Sequence, residues 1–478
     1  MHTRTYPVSI LSFCWVRSTK VLVLISSLLV GCTGLTEVTP LDVDVRARHL
    51  LETTLDNPEV DKALQSFGIH HQANTPWSLD QLTIAAWGLR PEIKVVREEI
   101  KAALAAKQLA NERPNPVFSL TPEYIINAVS GAVPWVVTLA ADFLTQTGGK
   151  RSLANLGAEQ DILIGLAGSD QVFWNIRVEV SQAVVNIITA DTANEIALDN
   201  LILRKAYRDW VQRKLAAGSL ARSELLRAEF DQMAAQSQAS QAAGEVIMAQ
   251  SQLANTLGVP IEAISGVTIT PLTPDGPPAP SELDQRELRE RALINRADIR
   301  HALAEYGRAD VDFRIKVAGR YPDLTLSPAT TYDSGSQKIS LGVSAELPLF
   351  HDQSVAISLA DAQRAIAASH FDTIQTQALA AIDTAFAAYK TSWVSWQQAE
   401  KVVAIQQQLL TQASKRFENG ATDKGDLMAY QLSALQSRGD AFTAHRTFLN
   451  ASLLLENAIQ RPLWPATQLT IPNQKDRL

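Results

Sequence analysis

The chain has 478 residues, 46% of them hydrophobic and 19% charged, with a formal net charge of −7. That acidity argues against a nucleic-acid partner, which needs a basic face. The only cysteines, Cys14 and Cys32, leave no paired-cysteine metal site.

In chain order, residues 1–31 carry Arg4, Arg17 and Lys20, no acidic residue, and an apolar run from Val21 to Val30. A charged start, a short apolar stretch and a small residue before the cut describe a secretory signal, too short for a stable membrane span. It ends in Leu29-Val30-Gly31-Cys32, which resembles the lipobox of bacterial lipoproteins. The resemblance implies cleavage before Cys32 and lipid attachment to it. Thr33 follows in place of the Asp that retains such proteins at the inner membrane, which implies outer-membrane sorting. Losing three positive charges takes the mature chain from −7 to −10. Its one remaining cysteine carries lipid, so no internal disulfide is possible. Residues 32–76 read as a lipidated, extended N-terminal segment. No later stretch is apolar enough to cross a bilayer as a helix, so a crossing would need strands.

The rest of the chain is a duplication. Leu89-Arg90-Pro91-Glu92-Ile93 and Asn295-Arg296-Ala297-Asp298-Ile299 each open a helical stretch, closed by the proline turns Pro114-Asn115-Pro116 and Tyr321-Pro322-Asp323. Matching strands follow, Val117-Phe118-Ser119-Leu120-Thr121-Pro122 and Asp323-Leu324-Thr325-Leu326-Ser327-Pro328. Later, Gly218-Ser219-Leu220 precedes Ser223-Glu224-Leu225, and Gly420-Ala421-Thr422 precedes Gly425-Asp426-Leu427. The first repeat is placed at 77–257, a Pro/Gly/Thr-rich linker at 258–281, the second repeat at 282–463 and a tail at 464–478.

Residues 135–259 and 349–461 contain no proline, and the pattern supports one helix from Ser354 to Glu418, roughly 100 Å long. Leu379, Ile382, Phe386, Tyr389, Trp393 and Trp396 form a heptad stripe, beside a small-residue stripe of Ala378, Ala381, Ala385 and Ala388. Two stripes suit a helix with neighbours on both sides, as in a closed tube. The first half repeats this with Phe173, Ile176, Val180, Ala183, Ile187, Ala190, Ala197 and Leu201. Strands alternate instead: apolar residues fall on every second position from Ile339 to Leu347, and Trp135, Val137, Leu139, Ala141 and Phe143 do likewise. Segments of about ten residues with this period fit membrane-barrel strands. Four strands with open edges would leave backbone groups unsatisfied in lipid. The chain is therefore expected to oligomerise: two copies would fill their barrel with side chains, while three leave room for a pore.

The signal and lipobox, the duplicated helix-strand-strand-long helix-helix unit, the strand exit Leu347-Pro348-Leu349-Phe350 and the turn Arg416-Phe417-Glu418-Asn419-Gly420 together resemble the TolC/OprM family of outer-membrane efflux proteins. The resemblance spans about Trp77 to Leu463. The first half departs from it at Leu144-Thr145-Gln146-Thr147-Gly148-Gly149-Lys150, which leaves the end of its second strand open. The fold implied is mostly α with membrane β: long helical hairpins forming a periplasmic α-barrel, and four strands per chain of a trimeric twelve-stranded β-barrel. The function implied is the passive outer-membrane channel of a tripartite efflux system. Its partners would be a periplasmic adaptor and a proton-driven inner-membrane pump of the RND type. A type I protein-secretion duct shares the fold, and a non-transporting coiled-coil lipoprotein would leave the strands unexplained.

An enzyme is not expected, nor a cofactor. Gly148-Gly149-Lys150-Arg151 has Leu144 where a phosphate loop needs glycine, and Arg in place of the magnesium-binding hydroxyl. No nucleophile elbow or zinc motif occurs, His70-His71 lacks partners nearby in sequence, and Asp423-Lys424-Gly425-Asp426 lacks the rest of a calcium loop. The resemblance implies that Gly218, Ser219, Leu220, Gly420, Ala421 and Thr422 are adaptor-docking turns. It places Asp426, with Glu224 as its counterpart, at the periplasmic aperture, where the family's second acidic position is Ala429, with Tyr430 nearby. Helix capping is the competing role for both acids.

Overall fold

The computed structural model describes residues 40–72, 75–128, 131, 133–270, 277–333, 335–347 and 353–463. By contact the chain divides into residues 1–52 and 53–478. The described part of the first unit is helix α1, Val43–Glu52, capped by Asp42, whose Oδ1 accepts the N–H of Asp44 at 3.0 Å.

The second unit opens with α2 (Pro58–Ser66), α3 (Leu79–Leu89) and α4 (Pro91–Asn111). Ser78 and Gln81 cap α3 reciprocally, and Pro91 starts α4 where no N–H is needed. Strands β1 (Val117–Tyr124) and β2 (Trp135–Thr145) lead into α5 (Lys150–Ala216) and α6 (Arg222–Leu257). The second repeat follows the same order: α7 (Gln285–Asn295), α8 (Ala297–Ala318), β3 (Leu324–Asp333), β4 (Ser336–Ala345), α9 (Ser354–Glu418) and α10 (Lys424–Ile459). The 65-residue α9 has the bounds that its proline-free, apolar-periodic sequence predicts.

The long helices run past two shorter partners laid end to end. Near the strands α5 packs against α4 and α8; farther on it packs against α6 and α10, and α9 likewise passes from α8 to α10. At the level where partners change sit the two main apolar clusters. One joins Leu82, Trp87, Ile93, Phe173, Val180 and Leu257; the other joins Ile382, Tyr389, Phe448, Leu455 and Ile459. Arg177, 2% exposed, pairs with the equally buried Glu456 at 3.2 Å and with Asp80 at 3.3 Å. This ties α5, α10 and α3 together at the same level. Burial pushes the Glu456 carboxyl above its usual range against the pull of the guanidinium.

The first-half stripe holds: Phe173, Ile176, Val180, Ala183, Ala190 and Leu201 are buried. The stripes of α9 are divided differently within one chain. Its buried seam is Ala378, Ile382, Ala385, Tyr389 and Ser392, mixing small and bulky residues. Leu379, Ala381 and Ala388 are exposed. Within one chain α9 is covered by α7, α8 and α10, which bury this one seam.

Candidate functional site

The four strands form one antiparallel sheet in the order β1-β2-β3-β4. Leu139 lies opposite Leu120 on one side and Thr330 on the other, and Thr330 lies opposite Ile339. This register collects Phe118, Leu120 and Tyr124, Trp135, Val137, Leu139 and Phe143, Leu324, Leu326 and Tyr332, and Ile339, Leu341 and Val343 on one face. The opposite face carries Ser119, Thr121, Glu123, Thr138, Asp142, Thr325, Thr331, Asp333, Lys338, Ser340 and Ser344. The alternation is therefore coherent across the whole sheet. Among the described residues this apolar face is left largely uncovered: Ile339 is 90% exposed and Phe118 71%. A face of this size and exposure belongs against lipid or another apolar surface. β1 and β4 end the sheet with one open edge each.

At the strand-helix junction the departure at Leu144–Lys150 resolves. β2 ends at Thr145, and the next residues clamp onto the proline turn of the second repeat. Asp323 Oδ1 accepts the Thr147 N–H and the Lys150 ammonium, each at 2.9 Å, and Thr147 Oγ1 donates to the Pro322 carbonyl at 2.6 Å. Gly148 has φ +64, and a Cβ there would sit 3.1 Å from the Ala318 carbonyl oxygen, so glycine is required twice over. The phosphate-loop-like Gly-Gly-Lys is thus a joint between repeats, reached by contacts that spacing along the chain could not show. The exit Pro348–Phe350 lies outside the described residues, as does Cys32.

At the other end, both hairpins turn through the same motif. Gly218 and Gly420 adopt φ +71 and +69. Ser219 N–H reaches back to Lys214 O at 2.9 Å, and Ala421 N–H to Arg416 O at 2.8 Å. These are Schellman turns. The docking candidates Gly218, Ser219, Leu220, Gly420, Ala421 and Thr422 therefore sit at the helix ends farthest from the strands. After the turn the hairpins differ. Asp423 is the N-cap of α10, its Oδ1 accepting the Asp426 N–H at 3.0 Å, whereas α6 has Ala221 there and no side-chain cap. Asp426 is exposed; one oxygen accepts the Thr422 hydroxyl at 2.7 Å. Glu224 is exposed in the corresponding position of α6. The N-cap of α10 is thus Asp423, and Asp426 stands exposed in the first turn after it.

The structure adds a residue that sequence reading missed. Trp210, near the end of α5, covers Gly425 in the first turn of α10, where a Cβ would lie 2.4 Å from the indole. Tyr207 stacks beside it at 5.7 Å, and the Lys214 ammonium lies 5.7 Å from its ring centre. Higher up, Arg438 and Asp199 bridge α10 and α5 at 3.0 Å. The two hairpins of one chain are thereby held together at their tips. Among the described residues no helix is long and apolar enough to cross a membrane and no three ligating side chains converge on a metal position.

Residues 288–460 match the family model for outer membrane efflux proteins. The second repeat carries the sequence match, and the likeness of fold to outer-membrane channels extends over 80–90% of the chain. The chain superposes on VceC, an outer membrane protein of Vibrio cholerae, at 19% identity and a TM-score of 0.66, covering 80% of this chain and 96% of VceC. The outer-membrane channel OprN gives 18%, 0.65, 90% and 98%. The open-state MtrE outer membrane channel of Neisseria gonorrhoeae gives 18%, 0.62, 82% and 91%. No curated protein matches the chain. The resemblance read from the sequence holds, and so does the mostly helical class with four antiparallel strands.

Proposed function

We propose that this chain is the outer-membrane channel of a tripartite efflux system, passing substrate without chemistry. Three copies close a twelve-stranded barrel, their hairpins continue it as a tunnel through the periplasm, and Cys32 anchors each copy to outer-membrane lipid. A periplasmic adaptor meets the turns Gly218-Ser219-Leu220 and Gly420-Ala421-Thr422, fed by an inner-membrane pump of the RND type. Asp426, with Glu224 beside it in the pseudo-symmetric position, rings the periplasmic aperture. Three carboxylates brought together by threefold symmetry favour cations and repel anions.

One observation carries this reading. A single chain joins a sheet with one apolar face, one polar face and two open edges to two helical hairpins whose outgoing helices have 67 and 65 residues. Such a sheet is stable in lipid only when closed. Four strands per copy need three copies before the interior exceeds what side chains fill. The test is reconstitution of the purified full chain in a planar bilayer, with steady ion conductance and a three-copy mass expected. A protein that binds membranes yet never conducts would refute the channel. Adaptor co-purification separates two uses of the same duct: recovery with a proton-driven pump supports efflux, recovery with a secretion ATPase replaces it with type I protein secretion.

A further inference from the structure

The two edges left open by the sheet are complementary in a way the internal duplication makes specific. Overlaying the strands on their shared prolines places Pro122 on Pro328. Because Pro122 faces Val137 and Pro328 faces Leu341, Val137 overlies Leu341 and Trp135 overlies Ile339. Continued along the chain, the same overlay puts Lys150 on Ser354, the first residues of α5 and α9. The equivalence therefore extends from the strands into the helices without slip. β2 meeting β3 is then the same junction, inside one chain, as β4 meeting β1 of a neighbouring copy.

The hydrogen-bonding directions agree. Ile125 N–H donates to Pro134 O at 2.8 Å, so odd-numbered residues of β1 face β2. The even ones, Phe118, Leu120, Pro122 and Tyr124, then present their backbone groups to the open edge. Pro122 is the one outward position on that edge with no N–H. Its equivalent Pro328 marks the spot where the β2–β3 ladder lapses, between Ala140↔Ala329 and Phe143↔Leu326, before resuming in the same register.

We infer that β4 of one copy pairs antiparallel with β1 of the next in the register of the internal β2–β3 junction. Leu139↔Thr330, Ala140↔Ala329 and Phe143↔Leu326 translate into Val343 opposite the partner subunit's Tyr124, Ser344 opposite the partner subunit's Glu123, and Leu347 opposite the partner subunit's Leu120. The ladder lapses once per interface, at the partner subunit's Pro122. This register keeps Val343 and Leu347 on the apolar face with the aromatic and leucine side chains they meet. It also puts Ser344 and the partner subunit's Glu123 on the polar face. A slip by one residue would invert that arrangement, and a slip by two would break the equivalence of the six helical hairpins above the barrel. The inference rests on the closed three-copy barrel proposed above and adds which residues meet.

Cysteine cross-linking of the full chain in membranes tests it. Ser344 and the partner subunit's Glu123 form a non-hydrogen-bonded pair, whose Cβ separation suits a disulfide. The Glu123→Cys/Ser344→Cys chain is therefore expected to convert to covalent trimers on oxidation. Thr121→Cys/Ser344→Cys and Ile125→Cys/Ser344→Cys place the second thiol on the same face but about 7 Å along the strand. They are expected to react at least about tenfold less, since disulfides do not span that distance. Each single-cysteine chain measures the contribution of Cys32. Stronger cross-linking by either shifted pair overturns the register while leaving the multimeric barrel standing. No cross-link from any pair in a chain that still runs as a trimer on native gels also overturns it. A single-copy mass with no cross-link removes the barrel as well.

Discussion

Replacing Gly425 with alanine asks how firmly the two hairpins of one chain are latched at their tips. The new methyl would lie 2.4 Å from Cη2 and 2.8 Å from Cζ2 of Trp210. Carbon pairs rest at about 3.5–4.0 Å, so the indole must withdraw by more than about 1 Å. It has little freedom toward Tyr207, with which it stacks, and Lys214 lies along the same helix. The methyl would also come 3.1 Å from Asp423 Oδ1, the oxygen that caps α10. Overpacking of this kind costs about 1–3 kcal/mol, and alanine's helix preference returns at most about 1 kcal/mol. The clash wins, and Gly425→Ala is expected to be destabilising by roughly 1–2 kcal/mol. In a Trp210→Ala chain the same change meets no indole and should be neutral or slightly stabilising. A double-mutant cycle on trimer denaturation, read beside single-channel recordings, measures both consequences. Coupling of about 1–3 kcal/mol is expected between the two sites, together with larger conductance from either single variant as α5 and α10 part at the tip. Equal effects of Gly425→Ala in both backgrounds would refute the latch.

Asp426→Asn should raise conductance or weaken cation preference while the trimer melts normally, because Asp423 supplies the cap. Unchanged conduction with a loss of about 1 kcal/mol would return Asp426 to the helix end. Cys32→Ala should abolish fatty-acid labelling and change signal processing; normal labelling would refute the anchor. Leu220→Glu combined with Thr422→Glu should stop export and adaptor capture while trimers remain in the membrane, and intact export would remove the docking role. Arg177→Met should cost about 3–5 kcal/mol by stranding the buried Glu456, and Arg177→Met with Glu456→Leu should recover most of it. Equal denaturation midpoints for the single and double variants would show that the pair is not coupled.

Much of this architecture is legible in one dimension because it is periodic. Alternation from Ile339 to Leu347 marks one face of a strand, and the absence of proline from 349 to 461 allows α9 its full length. The proline turns and the two glycine turns repeat at matching places, so the duplication can be read without coordinates. Local rules suffice there, since a strand's facing and a helix's end depend on neighbours within a few residues. The tertiary structure decided what those rules do not reach. Whether Asp426 or Asp423 caps α10 depended on which oxygen met which N–H. Which alanines of α9 are buried depended on where α8 and α10 lie, and separated Ala378 and Ala385 from Ala381 and Ala388. Lys150 with Asp323, Arg177 with Glu456, and Trp210 over Gly425 each join positions far apart in the chain. Periodicity says which face of an element is apolar. Only packing says which residue of another element that face meets, because a contact depends on the relative placement of two helices and not on the sequence of either.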